Sequence, residues 1–547
     1  MIMKKWLKIV LIVVVVLFGL LKLTEWFLET KFQALINKNP DRAYDITYAD
    51  FDLHTLFKGI TLDEVKITPL TKKTTGVIVN GSVDYAELSG FKWSRFVFSK
   101  SVSIDELKFV SPTFDLAIYA DSTKKTKGQS MQGLFSDILS RLDLDQFQIK
   151  DGSVLMKEGD STLIGELSRI NIVASEIETD SVQLTHIIPF KLGNLEVELD
   201  SAYYQINPYT EAKLGFIDYS MTNESIILKD VSLHYYKDWV AISEERGLQD
   251  DVMEFALDSL CISNMNFSSS FWSDLDIEAE RMHIDGLMLS MKRNKNLPRP
   301  PDVEKPLFKG IVDKIPFRID LDSILISNST ILYGELSVNK KKTGVIEITD
   351  VNGAITQLTT FPERKEEFKD FDANFTAKLN GAGDMNIALN VPYDRDSFKL
   401  YTTVGPMDMT ALSRSLVPLL GVEIKEGQMK HLDYKMNASF YGSSNSLVMD
   451  YENLQLTVYK ENDDGSNKKD GMLSSIANAA IKHNNLPNQK RYETATYNTE
   501  RNIYRSPFQH IVAGVLDGTQ YIIPAKSVRA LLGTNNNNNK KKKKKKK

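Results

Sequence analysis

Apolar and polar residues alternate over most of the chain, a period of two that predicts strands rather than helices. The alternation slips in a repeated way. Apolar residues fall at positions p, p+2, p+5 and p+7, with Asp at p+3, in six places: Ile60-Leu62-Val65-Ile67, Val102-Ile104-Leu107-Phe109, Leu142-Leu144-Phe147-Ile149, Phe255-Leu257-Leu260-Ile262, Met282-Ile284-Leu287-Leu289 and Ile319-Leu321-Ile324-Ile326. A seventh copy, Ile226-Leu228-Val231-Leu233, moves the acid by one, to Asp230. On a helix those four positions would point at about 0°, 200°, 140° and 340°, which is no single face. On a strand the last two have the opposite parity to the first two. One extra residue, a β-bulge at the Asp-x pair, puts all four on one face. The tile therefore predicts a bulged strand of a strongly bent sheet, recurring loosely along the chain. Chance alternation in a β-rich protein is the plain alternative.

The rest of the chain extends the picture. Strands are expected at Val77–Leu88, Leu195–Tyr203, Gly344–Ile355, Phe371–Leu379 and Met385–Val391, the last two joined by a turn over Asn380–Asp384. Asp151-Gly152 reads as a turn before a further strand. Polar stretches at Asp121–Gln132 and Lys460–Gly471 read as loops, and the four prolines of Asn294–Pro306 as a linker or a long sheet-edge loop. Helices are few: Trp26–Asn37, Asp408–Leu420 with Met409, Leu412, Leu416 and Leu419 in one stripe, and Leu473–Ile481. A last one starts at Ser506-Pro507 and carries an apolar face of Phe508, Ile511, Val512, Val515 and Leu516. Docking of these stripes on the protein's own sheet is favoured over binding a membrane.

Near the N-terminus, Lys4, Lys5 and Lys8 precede the apolar run Ile9–Leu21. Extended from Trp6 to Leu23, the run approaches the length needed for a hydrocarbon core of ~30 Å. The following Lys22-Leu-Thr-Glu-Trp-Phe27 is a poor cleavage site, so an uncleaved anchor is expected, with Trp6, Ile9, Leu21 and Trp26 among its residues and the N-terminus cytoplasmic. Of the 547 residues, 42% are apolar and 25% charged, as in folded proteins. The formal net charge is −5, and Lys540–Lys547 contribute eight positive charges, so the body is markedly acidic. That argues against nucleic acid as a partner. The Asn535–Lys547 tail is expected to be disordered and could also bind anionic headgroups.

Candidate chemistry is sparse. Cys261 is the single cysteine, which excludes internal disulfides and cysteine-based metal clusters. The seven histidines form no HExxH or HxH arrangement, and no GxSxG, P-loop or GxGxxG is present. The acidic stretch LDLDQFQIKDGSVLM, Leu142–Met156, fails as an EF-hand, because Phe147 and Gln148 stand where an oxygen ligand and a glycine are needed. No cofactor, metal or catalytic residue is expected.

Tiles such as LDQFQIKDGSVL (Leu144–Leu155) and LDSILISNSTIL (Leu321–Leu332) resemble those of the AsmA-like family, related to TamB and the bridge-like lipid-transfer proteins. The resemblance continues in GPMDMTALSRSLVPLLGVEIKEGQMKHLDYKM, LVMDYENLQLTVYK, SSIANAAIKHNN and YRSPFQHIVAGVLDGTQ. It implies a mostly-β protein: an elongated, taco-like β-sheet groove with an apolar inner face, one N-terminal transmembrane helix and short amphipathic helices near the C-terminus. It further implies a Gram-negative inner-membrane location with a periplasmic body, and a non-enzymatic part in phospholipid traffic or outer-membrane homeostasis. The divisions expected are residues 1–25 anchor, 26–40 juxtamembrane helix, 41–293 N-terminal groove repeats, 294–306 linker or loop, 307–460 C-terminal groove and module, 461–533 amphipathic helices and 534–547 tail. Leu107, Phe109, Leu142, Leu144, Phe147, Ile149, Leu287 and Ile324 are the candidate lipid-facing residues, with phospholipid, the inner membrane and envelope proteins as partners. A scaffold for outer-membrane protein assembly is the second reading, and a tethered periplasmic hydrolase, which would need a converging carboxylate pair, the third.

Overall fold

The computed structural model describes residues 44–54, 59–70, 76–92, 102–119, 142–159, 162–177, 192–267, 276–338, 342–461 and 467–525, with residues 22, 23, 25–27, 29–34, 94, 95, 98 and 528. Trp6, the apolar run Ile9–Leu21, the 121–132 loop and the Asn/Lys tail lie outside these residues. Strand outweighs helix, 61% to 17%, so the mostly-β expectation holds. No helix among the described residues is long and apolar enough to cross a membrane. The chain forms two compact units: unit 1 is residues 1–229 with 267–275, and unit 2 is 230–266 with 276–547.

In unit 1, β1 (Tyr44–Thr47) and β2 (Asp50–His54) pair in turn with β3 (Gly59–Pro69), which pairs with β4 (Gly76–Ser89). Next come β5 (Val102–Val110) and β6 (Thr113–Tyr119), two halves of one line broken at Ser111-Pro112. Both halves pair in parallel with β7 (Leu142–Glu158). Antiparallel order resumes through β8 (Thr162–Ser175), β9 (Asn194–Asn207), then β10 (Thr210–Leu214) and β11 (Phe216–Ser220), to the part of β12 (Ser225–Tyr235) that lies in this unit.

Unit 2 repeats the device. β13 (Asp251–Met265) pairs with β14 (Ile277–Asp285) and β15 (Met288–Asn294), a second broken line, and both run parallel to β16 (Ile319–Leu336). β17 (Gly344–Thr359), β18 (Asp370–Leu379), β19 (Gly383–Pro392) and β20 (Phe398–Val404) follow antiparallel. β20 and β21 (Met407–Asp408) pair with β22 (Val422–Ser439), then β23 (Gly442–Glu461), which carries β24 (Asn467–Lys469) and β25 (Ala495–Glu500). Parallel neighbours need a long crossover. In unit 2 it is the proline-rich segment, fixed by Gln249 Nε2 donating to Lys295 O and Leu297 O, and by Arg501 Nη2 donating to Lys305 O and Pro306 O.

Left-handed residues bend these strands. Asp151, read from sequence as part of a turn, sits inside β7 at φ 56°, beside Ser111 at φ 49°. Its N–H donates to Asn171 Oδ1 at 3.0 Å. The second parallel pair has the same arrangement: Gly286 at φ 67° beside Asn328 at φ 50°, whose N–H donates to Asn352 Oδ1 at 3.0 Å. Each such residue leaves the alternation shifted by one and so keeps the same chemistry on each face. Asn and Asp tolerate this backbone best, and an amide from the next strand satisfies the freed N–H. The tiles behave alike. Ile60, Leu62, Val65 and Ile67 are all buried while Asp63 and Glu64 between them are exposed, with Glu64 at φ 48°. The expected turn over Asn380–Asp384 is present: Leu379 pairs with Gly383, and in the three-residue connection Asn380 and Gly381 both take positive φ while Ala382 N donates to Leu379 O.

Helices gather on unit 2: α1 (Trp239–Arg246), α2 (Phe308–Val312), α3 (Pro362–Phe368), α4 (Ser413–Leu420), α5 (Gly471–Ala480) and α6 (Pro507–Ile522). α6 begins at Ser506, which caps Gln509 N, as the sequence predicts. Its docking face takes in only part of the expected apolar stripe, with Ile511 and Val515 packed against the core. Pro507, His510, Gly514, Gly518 and Ile522 are buried, whereas Phe508, Val512 and Leu516 are exposed. The cause is two tyrosines standing up from the sheet: a Cβ on Gly514 would lie 2.1 Å from Tyr434 Oη, and one on Gly518 2.3 Å from Tyr497 Oη. α5 likewise docks by polar residues. Ser474 Oγ accepts from Val458 N and Asn478 Oδ1 from Leu456 N, covering an open edge of β23, while Leu473 and Ile476 stay exposed.

Asp151→Val is expected to lower stability by about 1–2 kcal/mol, the penalty for a side chain with no αL preference, and Asp151→Gly by much less; urea midpoints of the two variants test this. Equal midpoints would mean that no strain sits at the kink. A second expectation concerns His510, fully buried beneath α6. Burial, reinforced by Arg501, lowers its pKa to about 4. The unfolded chain takes up this proton near pH 6.5 and the folded one only near 4, so stability falls as pH drops through that window, by at most about 1.4 kcal/mol per pH unit. His510→Leu should flatten that part of the curve in thermal melts from pH 7 to 4; an unchanged slope would refute the assignment.

Candidate functional site: one apolar face in each unit

Strand register carries apolar side chains across each unit in long rows. In unit 1 the aligned residues are Leu62, Ala86, Phe109, Ile149, Ile172 and Val197, then Tyr219 and Ile226. In unit 2 they are Ile262, Met282, Ile324, Ile355, Ala373 and Leu389, continuing through Leu400 to Met436; the next partner, on β23, is the buried polar Asn445, and beyond it Tyr497. One residue away on the same strands the other face is polar: Ser263, Arg281, Ser323, Thr356, Asp372 and Asn390 align in unit 2. In unit 1, Glu87, Lys108, Gln148, Val173 and Glu196 do so, with Val173 the exception.

Burial changes along each row. In unit 1, Leu62, Ala86, Phe109 and Ile149 are buried, whereas Ile172, Val197, Tyr219 and Ile226 are half-buried. In unit 2 the gradient runs the other way. β22, β23 and β25 bury their apolar side chains, with Leu447 at 0% exposure, beneath a cluster that includes Phe308 of α2, Leu416 of α4 and Ile511, Val515 and Ile522 of α6. On β13 to β17, Leu260, Ile284, Ile326, Ile348 and Ile355 are half-buried, and Met253 is 41% exposed. Half-exposed aliphatic residues in register on neighbouring strands form the kind of patch that marks a binding surface.

Five of the residues singled out from the sequence, Leu107, Phe109, Leu144, Phe147 and Ile149, come together in one buried cluster of unit 1. Phe109 and Phe147 meet edge to face, with ring centres 5.6 Å apart. Leu142 pairs through its backbone with Val102, and its side chain lies outside the described residues. In unit 2, Ile324 is buried on the apolar row and Leu287 is partly buried at the break between β14 and β15. Of the anchor residues Trp26 alone is described; it is helical and exposed. Six residues on, Phe32 inserts into the unit 1 core against Phe51 and Phe91.

The tile acids do not build a reactive centre. Because β5 and β7 are parallel and in register, Asp105 and Asp145 stand on neighbouring strands at the same level, and with Glu106, Gln146 and Glu176 they line an open depression of about 520 Å3. Lys92 Nζ lies 3.3 Å from Asp105. Among the described residues no three acid, histidine or cysteine side chains converge to hold a metal ion. A Ser-His-Asp grouping exists on the polar face: His283 Nε2 is 2.8 Å from Ser327 Oγ. The serine, however, donates its proton to Asp285 Oδ1 at 2.5 Å, where a nucleophile would give it to the histidine. Hydrogen bonds from Ser327 and Asn328 hold the Asp285 carboxyl below the usual range. The grouping closes the strand break at Gly286.

No protein-family model matches the chain, and no curated protein or solved structure is significantly similar to it.

The gradient can be read by cysteine labelling in a Cys261→Ser background. Ile226→Cys and Ile284→Cys should react with a water-soluble maleimide at least roughly tenfold faster than Leu144→Cys and Leu447→Cys, because labelling a buried thiol requires local opening. Equal rates at all four positions would remove the distinction between covered and open parts of the face.

Proposed function

We propose that this chain is a membrane-anchored lipid-binding protein whose apolar sheet face holds phospholipid acyl chains. The observation that carries the reading is the set of register-aligned apolar residues in each unit, partly exposed at Ile172, Val197, Tyr219 and Ile226 in unit 1 and at Met282, Ile284, Ile326 and Ile355 in unit 2. Such a face is unfavourable in water, and burying acyl chain against it gains about 0.8 kcal/mol per methylene. Acyl chains suit it because they are long, flexible and need no hydrogen-bond partner. Kinks at Asp151, Asn328 and Asp350 bend the strands while keeping the apolar side chains aligned. The AsmA-like resemblance agrees with this reading. It places the anchor Ile9–Leu21 in the inner membrane of a Gram-negative envelope, the body in the periplasm, and the face along a taco-like groove.

Protein purified in mild detergent should carry phospholipid detectable by native mass spectrometry. Ile284→Glu places a carboxylate on the half-exposed row and should reduce the bound lipid severalfold. His283→Glu, one residue away on the polar face, should leave it unchanged. A wild-type protein without lipid, or an Ile284→Glu variant that retains it, would defeat the proposal.

A further inference from the structure

The last two helices of unit 2 pack on the sheet largely by small and polar residues. α5 turns Ser474 and Asn478 to β23, and α6 turns His510, Gly514 and Gly518, flanked by Ile511 and Val515. Large apolar residues point the other way: Met472, Leu473 and Ile476 on α5, and Phe508, Val512 and Leu516 on α6. Their exposure runs from 46% at Leu473 to 76% at Met472. Spacings of three and four place each trio on one side of its helix. Phe508 stays exposed even with Phe308 of α2 edge-on to it at 5.3 Å.

The two helices meet at their C-terminal ends. Ile481 and Pro524 form a β-bridge, Ala525 N donates to Ala480 O at 2.7 Å, and Lys482 N donates to Ile523 O at 2.8 Å. The exposed trios therefore belong to helices joined end to end, a ridge along β23 and β25. The ridge carries almost no charge. α5 has no acidic or basic residue, and the one acid of α6, Asp517, is engaged on the sheet side, where its Oδ2 accepts from Thr499 Oγ1 at 2.8 Å. Charge comes immediately afterwards in the sequence. The chain that leaves the junction at Ala525 ends in Lys540–Lys547. The intervening stretch can reach at most about 50 Å, so the eight lysines stay within range of the ridge.

We propose that the outer side of α5 and α6 docks on the surface of an anionic lipid bilayer, with Phe508, Val512, Leu516, Leu473 and Ile476 entering the boundary between headgroups and acyl chains and the lysine tail holding the headgroups. Stable attachment to a bilayer takes two signals, and this end of the chain carries one of each kind, an apolar row and a polybasic run. A row without charge enters the boundary region with no ion to desolvate. A bilayer also receives a projecting ridge without a preformed groove, which a protein partner would have to supply. The surface is separate from the apolar sheet face, and the proposal does not rest on that face holding lipid.

The test uses the full chain carried in phosphatidylcholine nanodiscs and sedimented with sucrose-loaded vesicles, either phosphatidylglycerol and phosphatidylcholine in equal parts or phosphatidylcholine alone. Wild type should bind the anionic vesicles at least about tenfold more tightly, and glutamine at all eight of residues 540–547 should remove that preference. Phe508→Ser, Val512→Ser and Leu516→Ser together should weaken binding to anionic vesicles at least about tenfold. Thermal melts check the fold of this triple variant; if it is unfolded, quenching decides. A fluorophore on Val512→Cys or Ile476→Cys, in a Cys261→Ser background, should be quenched by brominated acyl chains, and one on Asn386→Cys, exposed on β19, should not. No binding by wild type, full binding by the folded triple variant, or no quenching at either ridge position overturns the proposal. So does a wild-type dimer in light scattering that the triple substitution turns into a monomer, since a second copy would then cover the ridge. Ile284→Glu should bind vesicles as wild type does, so the sheet-face reading and this surface can fail independently.

Discussion

A sheet with one face wholly apolar must have that face covered, because every exposed Å2 of it costs about 25 cal/mol in water. Each unit is organised by this constraint. The strands are long, so a straight period of two would let the twist of a broad sheet carry the faces out of alignment with the strands' sequence chemistry. The chain answers with residues in the left-handed region, Glu64 and Asp151 in unit 1, Asn328 and Asp350 in unit 2, each of which bends a strand and resets its parity. Ile149 and Val154, on either side of Asp151, are thereby both buried although their spacing in sequence is odd.

The kinks also account for the acids. An αL backbone favours Asn and Asp, and a kink leaves an N–H without its ladder partner, which Asn171 and Asn352 supply in the two units. Acids at a kink additionally stay solvated, which fixes the polar face against a one-residue slip. Where the broken lines β5/β6 and β14/β15 run parallel to their successors, kink lies beside kink, and the two units acquire the same local plan from unlike sequences.

Much of this was legible from residue spacing, for a physical reason: side-chain parity is a property of the strand alone. The p, p+2, p+5, p+7 tile located the break at Asp63-Glu64 but not those at Asp151, Asn328 and Asp350, and Leu107, Phe109, Leu144, Phe147 and Ile149 fell together as their pattern required. What depends on pairing was not legible. Nothing local distinguishes a strand that will lie parallel to its predecessor, so the in-register meeting of Asp105 with Asp145 was missed, and Asp151-Gly152 passed for a turn because Asp-Gly is the commonest kind of turn signal. The docking faces of α5 and α6 were read only in part, Ile481, Ile511 and Val515 packing inward and Leu473, Ile476, Phe508, Val512 and Leu516 not, for a related cause. Apolar periodicity marks what a helix would bury in isolation, whereas Tyr434, Tyr497 and the open edge of β23 decide what these helices bury here.

Burial is the point at which identical strand grammar yields two outcomes. The tile around Asp63 and the row through Leu447 are fully buried, yet Ile284, Ile326 and Ile172 occupy equivalent positions in register and remain half-exposed. Their side chains are no less apolar, so the difference lies in what stands over the face. In unit 2 it follows the helices: α2, α4 and α6 pack against the strands from β17 to β25, and Gly514 and Gly518 let α6 approach closely enough to seal them. Toward β13 those helices give out while the apolar rows continue. A protein that needed only stability would have ended its apolar face where its helices end, or covered the remainder with polar residues, as it does on the opposite side at Ser263, Arg281 and Ser323. Continuing the rows without their own cover leaves apolar side chains in contact with water, and that cost is what the proposed acyl-chain cover would remove.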